Sequence, residues 1–198
     1  MSVERIRVGR DNFGYLIHCP GTKKAALVDP GMDATGALDL IGSHGLELAY
    51  IINTHHHGDH TADNQRVKKA HPQALLIANE GDSDRSVEDN EIIALGDVKM
   101  KFITTPGHTP GGICIIVDDG VILTGDTLFI GNCGRTDLPG SSDEQMFESL
   151  GKLAALPDEL IVYPGHDYGS KPVDTLGNQK TENPTMAAKT LDEFLRIP

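Results

Sequence analysis

Short apolar runs, each closed by Gly, Pro, Asn or Asp, recur along the chain: Phe13 to His18, Ala25 to Val28, Ala49 to Ile52, Ala74 to Ala78, Met100 to Thr104, Ile113 to Val117, Val121 to Leu123 and Leu160 to Tyr163. Runs of this length and composition predict strands. Helical spacing of apolar residues falls between some of them. Thr61 to His71 is one such stretch; another opens at Ser142, where Gln145 completes a capping-box pattern and Met146, Leu150 and Leu153 form one apolar face. A last helix is predicted from Asn183 as cap and Pro184 as first helical residue, with Met186, Leu191, Phe194 and Leu195 turned towards the body. Strands with interspersed helices, rather than strict alternation, predict a layered α/β fold with mixed sheets.

A length of 198 residues fits one domain spanning 1–198, with the segment from about 169 to 198 packing on it as a tail and helix. No repeat of solenoid period and no interdomain linker interrupts the pattern. Hydrophobic residues at 38% and charged residues at 23% are ordinary for a globular protein and exclude disorder. A formal charge of -12 argues against nucleic acid as partner, since phosphate contacts need clustered Lys and Arg. The three cysteines, Cys19, Cys114 and Cys133, are odd in number and form no CxxC pair, so a reducing, cytoplasmic setting is expected. The first residues lack a secretory apolar region, and no apolar run is long enough to span a bilayer, so no membrane partner is expected. The sequence implies no particular oligomeric state.

Candidate chemistry changes this bland picture. Four apolar runs each lead directly into His or Asp: Ala49 to Ile52 into His55, His57, Asp59 and His60; Met100 to Thr104 into His108; Val121 to Leu123 into Asp126; Leu160 to Tyr163 into His166. Loops at strand ends can gather such side chains into one site. Imidazole with carboxylate suits zinc, iron or manganese, whereas calcium and magnesium prefer all-oxygen cages. The i, i+2 spacing of His55 and His57 excludes a shared helix face, so both must converge from a tight loop. One such histidine alone is more often a solvated or packed ring; four within six positions are hard to explain by packing, because each ring needs partners for two nitrogens. His56 is expected to point away from its neighbours, and His18, His44 and His71 read as surface or turn residues.

The pattern Thr54-His55-x-His57-x-Asp59-His60, followed by His108, Asp126 and His166, resembles the metallo-β-lactamase superfamily over nearly the whole chain. Val28-Asp29-Pro30-Gly31, Thr105-Pro106-Gly107-His108-Thr109 and Thr124-Gly125-Asp126-Thr127 resemble it too. The resemblance implies a four-layer αββα sandwich of two mixed β-sheets with metals at one edge. It implies His55, His57 and His108 on one ion, Asp59, His60 and His166 on a second, and Asp126 bridging. Asp29 would then support a ligand from behind; read alone, it is equally a turn residue before proline.

Two divalent ions, zinc foremost with iron or manganese as options, would generate a water-derived nucleophile at neutral pH, with Asp59 and Asp126 as the catalytic carboxylates. Within the superfamily, Asp11-Asn12-Phe13-Gly14-Tyr15-Leu16, His55 to Thr61 and Gly125-Asp126-Thr127-Leu128-Phe129 look most like glyoxalase II, the hydroxyacylglutathione hydrolases, which implies a thioester of a glutathione-like thiol as substrate. Members of that branch carry a further helical domain that helps hold glutathione; only 32 residues follow His166, so that part is expected to be absent. Cys133-Gly134-Arg135-Thr136-Asp137 and Tyr163-Pro164-Gly165-His166-Asp167-Tyr168 resemble persulfide dioxygenases instead, with Asp137 where glyoxalase II usually has an aromatic residue. That alternative implies one Fe(II) on His55, His108 and Asp126. Both readings make Arg135 and Tyr168 substrate contacts, although an Arg in a Gly-rich loop is as often a surface ion-pair former. Cys133 has no base of its own and reads as a small packed residue. A β-lactamase role and a nuclease role fit the cytoplasmic start and the acidic surface less well, and a non-catalytic metal-binding module is the remaining alternative.

Overall fold

The computed structural model describes residues 2–197. Its first half contains β1 (Ser2–Arg7), β2 (Phe13–His18), β3 (Lys24–Val28), α1 (Thr35–Ser43), β4 (Glu47–Ile52), α2 (Gly58–Thr61), α3 (Asn64–Ala70) and β5 (Leu75–Ile77). There follow β6 (Ile92–Leu95), β7 (Val98–Thr104), β8 (Ile113–Val117), β9 (Val121–Gly125), α4 (Asp143–Ala154), β10 (Ile161–Pro164), β11 (Asp174–Thr175), α5 (Leu176–Glu182), α6 (Pro184–Ala187) and α7 (Leu191–Phe194). Two sheets result, a five-stranded one ordered β1-β2-β3-β4-β5 and a six-stranded one ordered β11-β10-β9-β8-β7-β6. Both are mixed: β3, β4 and β5 run parallel, as do β9 and β10, while the remaining neighbours are antiparallel.

Three apolar layers follow from the period-2 alternation of side chains. Phe13, Tyr15, Ile17, Val28 and Ile52 from the first sheet meet Met100, Phe102, Ile115 and Leu123 from the second. Leu16, Leu27 and Leu48, on the other face of the first sheet, are covered by Ala37 and Ile41 of α1 and Val67 of α3. Cys114, Ile116, Ile122 and Val162 are covered by Met146, Leu150 and Leu153 of α4 and by Leu176, Met186 and Phe194. The order of layers is therefore αββα. The strands β8 and β9 are buried along their whole length, which is why they read as unbroken apolar runs. Among the described residues, no helix is long and apolar enough to cross a membrane.

The structure corrects several sequence-based bounds. The helix expected over Thr61 to His71 is two pieces, because Asp63 N donates to Gly31 O at 2.9 Å rather than continuing the helical ladder, and its carboxylate accepts from Ala34 N at 2.8 Å. The predicted last helix also divides: Ala188 is extended, and Thr190 starts α7 anew by accepting from Glu193 N at 3.2 Å. Leu195 consequently lies exposed instead of packing. At Ser142 only half of the capping box forms, since Gln145 N donates to Ser142 Oγ but Ser142 N donates to Gly107 O.

Two contacts fix the rim where the functional residues gather. Tyr15 Oη donates to Pro164 O at 2.6 Å and Phe13 N to Gly165 O at 2.8 Å, joining β2 to the end of β10 across the two sheets. The C-terminal ends of β3, β4, β7, β9 and β10 thereby open on the same edge.

Candidate metal centre

Each side chain of the cluster leaves a strand end or the single turn of α2. His55 follows β4, His57 precedes α2, and Asp59 and His60 lie side by side within it. His108 follows β7, Asp126 follows β9 and His166 follows β10. Close backbone approach is needed where β9 ends: Gly125 has φ +48, and a Cβ there would strike Thr54 Oγ1. Gly165 is similarly constrained, because a Cβ would meet the Asp126 carboxylate.

The seven predicted donors converge. His55, His57 and His108 place ligand atoms within 4.8 Å of one another, as do Asp59, His60 and His166, and His55, His60 and Asp126 form a third such set. Asp126 stands in the middle: its Oδ2 is 3.6 Å from His108 Nε2, 3.3 Å from His166 Nε2 and 4.0 Å from His55 Nε2, and its Oδ1 is 3.3 Å from His60 Nε2. His57 Nδ1 and His108 Nε2 are 2.9 Å apart, and His60 Nε2 and His166 Nε2 are 3.1 Å apart. Donors ~2.1 Å from one ion stand about 3.0 to 3.4 Å from each other, so these gaps have the right scale.

Most rings are held from behind. Thr54 Oγ1 lies 3.1 Å from His55 Nδ1, Asp29 Oδ2 3.1 Å from His60 Nδ1, and the Arg135 carbonyl 2.8 Å from His108 Nδ1. Asp29 is itself fixed by Thr54 N and Oγ1 at 2.8 and 2.7 Å, in a backbone conformation with φ +48 that Asp tolerates. Such contacts select the tautomer that aims the other nitrogen at the cluster. Asn12 Nδ2 donates to Asp59 Oδ2 at 2.8 Å. Sequence reasoning assigned no role to Asn12 or Thr54, because both are turn-type residues beside strands and their type alone carries no such signal.

The electrostatics divide the cluster. Burial, then repulsion from His60, pushes His55 well below its ordinary value, and burial with His108 lowers His57, so both offer neutral lone pairs. Burial also pulls on His60 and His166, but the hydrogen bonds that Asp126 and Asp29 accept from the first, and Asp126 and Asp59 from the second, outweigh it; His60 is raised well above its usual range and His166 to about 9. Burial would raise Asp126, yet His166 and His60 hold it well below the usual carboxylate range, and His166 does the same for Asp59. The carboxylate side thus demands positive charge, which protons or a bound cation can supply. Buried His55 Nε2 has no hydrogen-bond partner among the described residues, an arrangement that a ligand role relieves. Imidazole and carboxylate donors in two groups sharing Asp126 are compatible with a dinuclear site.

Beside the cluster lies a cavity of about 450 Å³ lined by His108, Asp126, Phe129, Ile130, Arg135 and Tyr168 among others. Tyr168 stacks on His166 with ring centroids 4.6 Å apart, and Phe129 meets both rings edge-on. Arg135 reaches the cavity rim with its guanidinium exposed, Nε and Nη2 donating to Asp137 at 2.6 and 2.7 Å. His56 turns outward and pairs with Glu80 at 3.0 Å.

Comparison with known proteins agrees with this geometry. The metallo-beta-lactamase superfamily description matches residues 8–82 and 73–166. A hydroxyacylglutathione hydrolase from Rhodospirillum rubrum is 35% identical over 97% of this chain and 76% of its own length. The human mitochondrial persulfide dioxygenase ETHE1 is 32% identical over 93% of this chain and 75% of its own. The crystal structure of ETHE1 from Myxococcus xanthus superposes with a TM-score of 0.90 at 29% identity, covering 100% of this chain and 92% of that one.

Proposed function

The chain belongs to the metallo-beta-lactamase superfamily, and from that premise we propose that it is a metal-dependent thioester hydrolase of glyoxalase II type, with two divalent ions, zinc foremost, on His55, His57, Asp59, His60, His108, Asp126 and His166. The observation that carries this reading is the second donor set, Asp59, His60 and His166, which meets the first through Asp126. A single ion needs only four to six ligands, so seven convergent donors favour a pair.

When bound, such ions lower the pKa of coordinated water from ~15.7 towards ~7 and polarise a carbonyl. The remaining steps fall to the chain's own groups. Asp126, whose carboxylate oxygens lie 3.3 to 4.0 Å from four of the imidazoles, would balance positive charge at the middle of the site. Asp59 Oδ2, oriented by Asn12 and lying 3.5 and 3.7 Å from His166 Nε2 and His60 Nε2, is positioned to accept a hydrogen bond from the attacking water and orient it. Phe129 and Ile130 supply apolar wall for the acyl portion, and Tyr168, stacked on the last imidazole, lines the same cavity. Arg135 Nη1, which donates to no described residue, is available for a carboxylate of a glutathione-like thiol. A thiolate, with an ordinary pKa near ~8.5, leaves without a strong proton donor. A cytoplasmic setting accompanies this reading, supported by three free cysteines.

A second reading, persulfide dioxygenase with one Fe(II) on His55, His108 and Asp126, is favoured by the ETHE1 relatives and by the placement of Asp126 Oδ2 between those two rings. Anaerobic purification, metal counting, and parallel assays of thiol release from S-lactoylglutathione and oxygen uptake with glutathione persulfide test the two. Thiol release with two metals per chain is expected; oxygen uptake with one iron replaces the hydrolase by the dioxygenase.

A further inference from the structure

A second group of metal-type donors lies far from the rim. We propose that Glu4, His18 and His44 form a separate divalent-cation site of zinc type on the outer face of the first sheet. Their ligand atoms lie within 4.8 Å of one another. His18 Nε2 and His44 Nδ1 both approach one carboxylate oxygen, Glu4 Oε1, at 3.0 and 3.6 Å, and the two rings are 6.0 Å apart. Asn12 touches the main cluster, and His18 is six residues further along β2, a separation of roughly 20 Å at ~3.3 Å per residue.

The fold explains the meeting. Glu4 pairs with Leu16 and position 2 with His18 in the β1–β2 ladder, so Glu4 and His18 are diagonal neighbours on the face that also carries Leu16 and Ile6. That face is covered by α1, and His44 is the residue at the C-terminal cap of α1. Its backbone is locked by a Schellman pair: Leu46 N donates to Ile41 O at 2.9 Å, Gly45 N to Gly42 O at 3.1 Å, and Gly45 takes φ +60.

The charge pattern suits a cation. The C-terminal end of a helix carries partial negative charge, and Glu4 adds a full one. Among the described residues, no Lys or Arg pairs with Glu4; its only ion-pair partners are the two imidazoles. Two imidazoles and one carboxylate are a three-ligand set that leaves a fourth tetrahedral position to water. The three ligand atoms, within 4.8 Å of one another, must draw in to about 3.4 Å to reach tetrahedral spacing. His44 and Glu4, whose side chains are 43% and 31% exposed, have room to turn; His18, at 14%, is the fixed member. Its buried Nδ1 lacks a partner among the described residues, so the ring gains little from its present setting beyond Glu4.

The test is zinc content. The intact protein, His44→Ala and Glu4→Gln are saturated with Zn²⁺, freed of loose metal by desalting, and counted by elemental analysis, while thioester hydrolysis is followed in parallel. Both substitutions fall on partly exposed side chains, so folding is retained. The expected result is about one zinc fewer per chain in each variant, at least tenfold weaker uptake of that ion, and an unchanged hydrolysis rate. A zinc-induced rise in melting temperature should shrink in step. Equal zinc content in all three proteins overturns the site and leaves Glu4 as a hydrogen-bond partner only. Because the readout is a difference between variants, it stands whether or not the main centre hydrolyses thioesters.

Discussion

The two histidine clusters of this protein differ in what stands behind the rings. In the rim cluster, Thr54, Asp29 and the Arg135 carbonyl hold His55, His60 and His108 at 2.8 to 3.1 Å from the side away from the donors. In the outer cluster, His18 has Glu4 in front and no hydrogen-bond partner behind among the described residues, and His44 is partly exposed. The first set loses little freedom on binding an ion, whereas the second must be ordered by it. Similar residues therefore stand pre-ordered in one place and would have to be drawn together by an ion in the other.

The largest effect that could break this comparison lies at Asp126. Asp126→Asn keeps the size but removes the charge that touches both donor groups. Several kcal/mol of electrostatic stabilisation should vanish, lowering kcat/KM for S-lactoylglutathione by about 10³-fold or more. Steady-state kinetics with metal counting checks this; near-normal turnover would mean that Asp126 does not connect the two groups. A smaller effect is expected at Asp29. Asp29→Asn tolerates the positive φ yet weakens the support of His60, and metal affinity should fall by about 10- to 100-fold in chelator competition. Asn12→Ala removes one hydrogen bond to the Asp59 carboxylate, worth ~1.5 to 3 kcal/mol. About tenfold weaker retention of one ion, with the other unchanged, is expected by the same assay.

The rim cluster was legible in the sequence because its residues follow strand ends within recognisable motifs, and His55 to His60 are consecutive enough to betray a loop. Layered α/β with mixed sheets was legible because buried strands such as β8 read as unbroken apolar runs, whereas the αββα order came from the resemblance of the histidine motifs to a family and not from the apolar pattern. The outer cluster was not legible. Glu4, His18 and His44 each occur alone in sequence, and only the β1–β2 register and the end of α1 bring them together. The helix α1 escaped notice because Gly36 and Gly42 dilute its helical propensity, and β1 because Glu4, Arg5 and Arg7 interrupt its apolar positions. The breaks at Asp63 and Ala188 were hidden for another reason: both depend on backbone or capping partners that periodicity does not report.

Imidazoles and carboxylates are the only donors in this comparison, and a reactive thiol at the rim would break it. Cys133 lines the same cavity as His108 and Asp126. Burial pushes its thiol up to about 11, with the Thr185 hydroxyl only partly offsetting the shift. At pH 7 about one molecule in 10⁴ then carries the thiolate, the form that attacks or ligates. Cys133→Ala should therefore leave zinc content and kcat/KM within about twofold, and iodoacetamide should label the folded protein there slowly. The sign of the pH effect follows from the same shift. The folded thiol keeps its proton above its unfolded value near ~8.5, so its contribution to stability is full below that pH and is lost as pH rises through about 11. Cys114, also raised to about 11 by burial, adds a like share. Chemical denaturation between pH 8 and 11 should show a shallower decline for Cys133→Ala than for the intact chain, and an unaltered slope would place an ionised sulfur beside the centre.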